Sequence, residues 1–159
     1  MIEIRQATAA DIPAIARVHV QSDWDTYAVL LGAKAYRLEI AESERRWRRA
    51  LQPGGLLLVA TDGGCIVGLG HACADRIDAL YLAKSHQRRG IGKAMLTRLL
   101  RALHVRGITE AHLDVVAVNA QAIAFYRAQG ARPVGRRINE DPRGQTDDLM
   151  MAIPTADGS

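Results

Sequence analysis

The chain has 159 residues, 48% apolar and 24% charged, with a formal charge of +4 and a sequence pI near 9.4. This composition excludes an extended disordered chain, and the length suffices for a sizeable core. No apolar run is long enough to cross a bilayer and the opening residues MIEIRQATAADIP are too polar for a secretory leader, so no membrane is expected and the expected compartment is the cytoplasm.

Residues 2–5 alternate and predict a first strand. Asp11 is placed to cap the next helix, with Pro13 tolerated in its first turn and Ile12, Ile15, Ala16, Val18 and His19 on its apolar side. A second, less regular helical region is expected over 23–51 with a break near Gly32, and it carries the large amphipathic residues Trp24, Tyr27 and Tyr36. After Pro53-Gly54-Gly55, strands over 56–61 and 65–74 flank the hairpin signal Asp62-Gly63-Gly64. Gly68 and Gly70 inside the second of them predict a bulge or a close backbone approach. Residues 76–83 (RIDALYLA) read as a strand, and Met95, Leu96, Leu99, Leu100 and Leu103 recur at helical spacing until Gly107. With a strand over 110–118, this is a right-handed crossover unit whose two strands should be parallel. Asn119 is a plausible cap for a short helix ending at Gly130. Strands over 133–138 and 148–153 follow, joined by a polar loop with Pro142 and Gly144, and residues 154–159 are expected to fray. No repeat or linker interrupts residues 1–153, which are expected to form one domain.

Cys65 and Cys73 lack metal-ligand spacing and read as buried free thiols, so no metal is expected. The positive charge invites a nucleic-acid reading. With two Trp, four Tyr, one Phe and no long basic block, no nucleic-acid partner is expected. Arg45, Arg46, Arg48 and Arg49 surround Trp47, interleaved with Glu39, Glu42 and Glu44, and read as a solvated helix face.

The stretch that organises the rest is Gln87-Arg88-Arg89-Gly90-Ile91-Gly92-Lys93, between the 76–83 strand and the following helix. Glycines at the mouth of a helix let a ligand approach the backbone, where unpaired N–H groups and the helix dipole favour an anion. Three nearby cations add to this, making a pyrophosphate cradle. A P-loop fails, because Ser85 and His86 stand in its upstream region and Ala94 follows Lys93. A dinucleotide fingerprint from Gly90 would need Gly or Ala at Met95, although Asp114 lies at about the right distance for its acidic partner.

The pattern Gln/Arg-x-x-Gly-x-Gly/Ala is matched in full by Gln87 to Gly92, and it resembles the acyl-CoA pyrophosphate loop of the GNAT superfamily of N-acetyltransferases. Leu80-Tyr81-Leu82 upstream is similar to that family's Leu-Tyr-Val, and Asn119, Ala122, Phe125-Tyr126 and Gly130 are similar to its Asn-x-x-Ala-x-x-Phe-Tyr-x-x-x-Gly helix. The resemblance implies a mixed α/β (α+β) fold: a mostly antiparallel seven-stranded sheet, about four helices, and a splay between the two central parallel strands. It further implies acetyl-CoA as co-substrate, an amine acceptor as partner, with a homodimer left open, and acetyl transfer by direct attack in a ternary complex.

By the same resemblance, backbone groups of Leu80, Tyr81 and Leu82 hold the pantetheine amides and N–H groups from Arg88 through Arg89, Gly90, Ile91 and Gly92 to Lys93 hold the pyrophosphate. Gln87 opens the loop, and Asn119 and Phe125 meet the pantetheine and sulfur end. A backbone N–H near Leu82 is a candidate oxyanion donor. Tyr126 is the implied acid for the departing thiolate. Trp24 and Tyr27 are implied for the acceptor wall, with simple packing as the competing reading. Many relatives carry a glutamate where Arg76 stands. Asp78, on the same strand face, is then the first candidate base, directly or through water, against a surface Asp paired with Arg76 or a solvent chain. His71 is a further candidate, and His86 is expected to be solvated. The missing acid at Arg76 keeps a non-catalytic acyl-CoA sensor as the alternative.

Overall fold

The computed structural model describes residues 1–32, 37–141 and 144–156. Tyr36 and Pro142, singled out above, lie outside the described residues. The chain runs β1 (Ile2–Gln6), α1 (Ile12–Leu31), α2 (Ile40–Ala50), β2 (Gly55–Asp62), β3 (Cys65–Cys73), β4 (Arg76–Leu82), α3 (Ile91–Val105), β5 (Glu110–Val116), α4 (Ala120–Ala128), β6 (Arg132–Asp141) and β7 (Gly144–Pro154). The strands form one seven-stranded sheet in the order β1-β2-β3-β4-β5-β7-β6. The pairing of β4 with β5 is parallel and the others are antiparallel, as the crossover argument requires. Among the described residues no helix is long and apolar enough to cross a membrane.

The run Leu57-Leu58-Val59-Ala60 shows why the centre of the sheet is apolar without alternation. Leu57 and Val59 face one cluster with Ile12, Ile15 and Trp47, while Leu58 and Ala60 face another with Met95, Leu99 and Leu103. Both faces are therefore covered, by α1 and α2 on one side and α3 on the other, and such strands read as continuous apolar runs. Gly63 and Gly64 both have positive φ, 58° and 86°, as a tight hairpin turn needs. The close approach expected at Gly68 is present: a Cβ there would stand 2.8 Å from Leu82 Cδ1 and 3.0 Å from the Tyr81 carbonyl.

Several expectations are corrected. The first helix does not end before residue 23. It continues without a break to Leu31, because Ser22 and Asp23 are buried rather than solvent-facing, and stops at Gly32 (φ 57°). Asp11 does not cap this helix with its side chain. Its carboxylate turns back to Arg5 (2.7 and 3.0 Å) and to the Thr8 N–H (2.8 Å), and the Arg5 bond holds its pKa down at about 2. Cys65 and Cys73 are exposed, at opposite ends of β3, rather than buried. β7 extends through Pro154, and buried Thr155 stays docked through the Thr109 and Ile108 carbonyls and His104, so the chain is not frayed from residue 154.

Candidate active site

β4 and β5 touch at one register pair, Arg76 with His112, where the His112 N–H donates to the Asp75 carbonyl at 2.8 Å. Beyond it, towards Leu82 and Val116, the described ladder stops and the strands part. The orientation of β4 decides what faces this slot. The Ala83 N–H donates to Val67 of β3 at 2.8 Å, so by the period of two Tyr81 also turns its backbone to β3, in register with Leu69. Leu80 and Leu82 turn theirs the other way, into the slot. Of the three backbones expected to serve a ligand, Tyr81 is therefore committed to the sheet. Its ring instead stacks tilted on His19, 4.7 Å between centroids.

The loop above the slot is held from both ends. The Gln87 amide donates to the Leu82 carbonyl at 3.2 Å. His86, expected to be solvated, instead binds Asp62 Oδ2 at 2.9 Å and Ser85 Oγ at 2.7 Å. That bond, followed by the N-terminal ammonium, draws the Asp62 pKa below the ordinary carboxylate value. Between these anchors Arg88 (φ 62°) and Gly90 (φ 79°) are left-handed. A non-glycine residue there costs about 1–2 kcal/mol, and alternating hands fold successive N–H groups into an anion-binding concavity. The first helical bond of α3 runs from the Ala94 N–H to the Gly90 carbonyl, leaving the N–H groups of Ile91, Gly92 and Lys93 ahead of it. A Cβ at Gly90 would meet nothing within 4 Å, so the space over the turn is open to a ligand. Arg88, Arg89 and Lys93 are exposed around it, while Ile91 is buried and anchors the helix. These residues fit a pyrophosphate.

α4 closes the far side. Asn119 caps it, its side-chain oxygen accepting from the Ala122 N–H at 3.2 Å, which leaves its NH₂ for a ligand. Phe125 lies against Gly92, 3.7 Å from where a Cβ would stand, and packs edge-on to Tyr126 at 5.1 Å between centroids. Burial, and secondarily the proximity of Tyr81, push the Tyr126 hydroxyl above the ordinary tyrosine pKa. It stays protonated across any working pH, the state an acid needs.

The face of the sheet that packs on α1 and α2 is organised around a bulge. The β3–β4 register slips between His71 and Ala72, which pair with Ala79 and Ile77, and the residue passed over is Asp78. A bulge re-aims its side chain. Asp78 does not pair with Arg76: its Oδ1 is held by His71 Nδ1 at 2.6 Å, whereas Arg76 binds Asp114 Oδ2 at 3.0 Å. His71 Nε2 points away, towards Gly55, where a Cβ would stand 2.8 Å from it. His71 thus orients Asp78 rather than facing the slot. Trp24 and Tyr27 are half-buried on the C-terminal half of α1, with the Arg37 guanidinium 5.0 Å over the Trp24 ring.

Two groupings were not read from the sequence. Asp114 draws in Arg137 as well as Arg76, across three strands. Trp47, fully buried, gives its indole N–H to His19 Nδ1 at 3.0 Å and carries the Arg46 guanidinium 4.5 Å over its ring. A tryptophan at the centre of four arginines was the available signal for the second. Only the register of β5, β6 and β7 reveals the first.

A model of the acetyltransferase (GNAT) family matches residues 19–131. The [ribosomal protein bS18]-alanine N-acetyltransferase of Escherichia coli K12 is 39% identical over 71 residues, 43% of this chain and 48% of that protein, so the match spans about half the length of this relative. A probable N-acetyltransferase of Mycobacterium tuberculosis is 29% identical over 154 residues, 89% of this chain and 86% of its own. The crystal structure of the E. coli ribosomal-protein-S18-alanine N-acetyltransferase superposes with a TM-score of 0.71 at 25% identity, covering 100% of this chain and 97% of that one. With the parted β4–β5 pair and the anion-binding turn lying inside the matched region, the chain belongs to the GNAT acetyltransferase family.

Proposed function

We propose that this protein is an acetyl-CoA-dependent N-acetyltransferase that moves the acetyl group to a primary amine by direct attack in a ternary complex. The observation that carries this reading is the parting of β4 from β5 directly below the turn at Arg88 to Gly90. Acetyl-CoA, when bound, supplies an activated acetyl thioester. The turn from Arg88 to Lys93 binds its pyrophosphate through N–H groups, with Gln87 fixing the loop to β4. Leu80 offers its backbone N–H and C=O to the pantetheine amides, a form of strand addition, while Leu82, whose carbonyl accepts from Gln87, keeps its N–H for the thioester. The NH₂ of Asn119 and the ring of Phe125 line its sulfur end.

In the chemical step, Asp78 takes the proton of the attacking amine, directly or through a water, and His71 holds it in place. The Leu82 N–H polarises the carbonyl oxygen while a bond forms from nitrogen to the carbonyl carbon. As the carbon–sulfur bond breaks, Tyr126 gives its proton to the thiolate and is reprotonated from solvent. Trp24 and Tyr27 form part of the acceptor wall. We read residues 1–153 as one domain, which the gathering of all seven strands into one sheet supports. We assign the protein to the cytoplasm, because exposed free thiols at Cys65 and Cys73 suit a reducing compartment. The acceptor is a primary amine of a small molecule or a peptide.

The test is release of free thiol from acetyl-CoA in the presence of an amine panel, with the acetylated product identified by mass. Release that depends on the amine supports transfer. Tight CoA binding without release on any amine would instead make the protein a sensor.

A further inference from the structure

Four residues of α2 share one face at i, i+3, i+4 and i+7: Glu42, Arg45, Arg46 and Arg49. With His19 and Ser43 they line a cleft of about 240 Å³. The expectation of a solvated helix face does not account for Arg46. Its guanidinium lies on the buried Trp47 ring and donates one N–H to the Asp78 carbonyl at 3.3 Å. The platform beneath it is buried and hydrogen-bonded. The Trp47 indole N–H can only donate, so His19 Nδ1 accepts it, and Ser43 Oγ lies 2.7 Å from the same nitrogen.

A guanidinium held by its face and by one N–H still presents the rest of its planar fork, the geometry that matches a carboxylate. Arg45 and Arg49 stand exposed beside it, and among the described residues Glu42 is the acidic side chain lining the cleft. The cleft is therefore net positive, and Arg46 ties it to the bulge that carries Asp78.

From this arrangement we propose that the acceptor amine carries a carboxylate near its reacting nitrogen, and that Arg46, flanked by Arg45 and Arg49, is the specificity site that binds it. The proposal rests on the acetyl-transfer reading for its substrate role. The anion site itself stands independently of turnover. The amine is presented to Asp78 while its carboxylate is held by Arg46 of α2, which is bonded to the Asp78 carbonyl. The same charges repel polycationic amines, so selectivity has an attractive and a repulsive part.

Two measurements test it. In ¹⁵N-labelled protein, the Trp47 indole N–H resonance is followed during titration with glutarate, which has no phosphate to engage the glycine turn. A saturable shift is expected in the wild type and its loss in Arg46→Gln. Arg46→Lys, which keeps the charge but not the fork, should weaken it, and this separates recognition from a folding defect. In the second arm, Ala-Glu-Ala and Ala-Lys-Ala, both amidated, are compared as acceptors, with free glutamate distinguishing an amino acid from a peptide as the carboxylate's source. The acidic peptide should be favoured in kcat/KM by about tenfold, the equivalent of one charge-assisted contact. Arg45→Glu with Arg49→Glu, both on the surface, should invert the order. No glutarate shift, or equal use of the two peptides, overturns the proposal. A shift with no acetylation of any amine would overturn the transferase reading and leave the anion site standing.

Discussion

Replacing Tyr126 with Phe removes one oxygen and keeps the ring. The ring is what packs, edge-on to Phe125 in the cluster under α4, so fold and CoA affinity should survive. The lost hydroxyl is desolvated, and its raised pKa keeps it protonated. As the proposed acid it is therefore available as a donor at every pH where the amine reacts. A positioned general acid contributes about 10²- to 10⁴-fold, and a thiolate is a good leaving group, so the low end applies: a loss of about 10²-fold in kcat, or about 2.7 kcal/mol. The loss should appear in kcat/KM alike, because the bond exists chiefly in the transition state. Thiol release under saturating acetyl-CoA gives the rates, and calorimetric titration gives the affinity. The raised pKa also fixes the sign of a second result. No fall in rate from ionisation of Tyr126 should occur below the ordinary tyrosine pKa of about 10. Unchanged kcat in Tyr126→Phe, with a viscosity-independent rate showing that chemistry is limiting, would refute the assigned role. So would an alkaline fall near pH 8 that disappears in the variant.

At the glycine turn, Gly92→Val should lower CoA affinity by well over tenfold without unfolding the protein, because the nearest obstacle to a Cβ is Phe125 at an ordinary 3.7 Å. Arg89→Ala, an exposed charge, should cost at most about 1 kcal/mol, and titration calorimetry compares the two. Asp78→Asn should depress turnover most near neutral pH and recover where the amine deprotonates unaided, as a pH profile of kcat/KM would show. Asp11 has a folded pKa of about 2 against 3.8 unperturbed, so its stabilisation is present above pH 3.8 and lost as pH falls through 2. With Arg5 partly exposed and screened, Asp11→Asn should cost about 1 kcal/mol in urea melts at pH 7, and the gap should close towards pH 2.

What the sequence disclosed about this molecule is what local rules encode. The glycine turn, the helix periods after it, the Asn119 cap and the Gly63-Gly64 hairpin depend on a few neighbouring residues. All four appear where the spacing put them. The uninterrupted α1 was missed because a Ser-Asp pair looks solvent-seeking until tertiary packing buries it. The role of Asp78 was half legible. Period two placed it on the strand face of Arg76, but the bulge that aims it at His71 comes from strand pairing, which no single segment contains. The exposure of Cys65 and Cys73 follows similarly from where β3 ends, since a thiol at a strand terminus has little to bury against.

The parted strands set one further expectation. In a closed sheet the N–H and C=O groups of Leu80 and Leu82 would pair with β5; here they face the slot. The Leu82 carbonyl is already taken by the Gln87 amide, which leaves the Leu82 N–H and the Leu80 groups open to a ligand. On the reading proposed above, acetyl-CoA in the slot would bond to these groups and bridge the two halves of the sheet. Two signals should then appear together. Ligand at 100 times its Kd stabilises the fold by about 2.7 kcal/mol, which for a domain of this size raises Tm by about 5–11 °C. In the same samples the amide hydrogens of Leu80 and Leu82 should become protected from exchange, while that of Tyr81, already bonded to β3, should change little. A thermal shift without protection at Leu80 and Leu82 would mean that the ligand is held by the glycine turn alone. The slot would then not be the pantetheine site, whatever the rate of acetyl transfer.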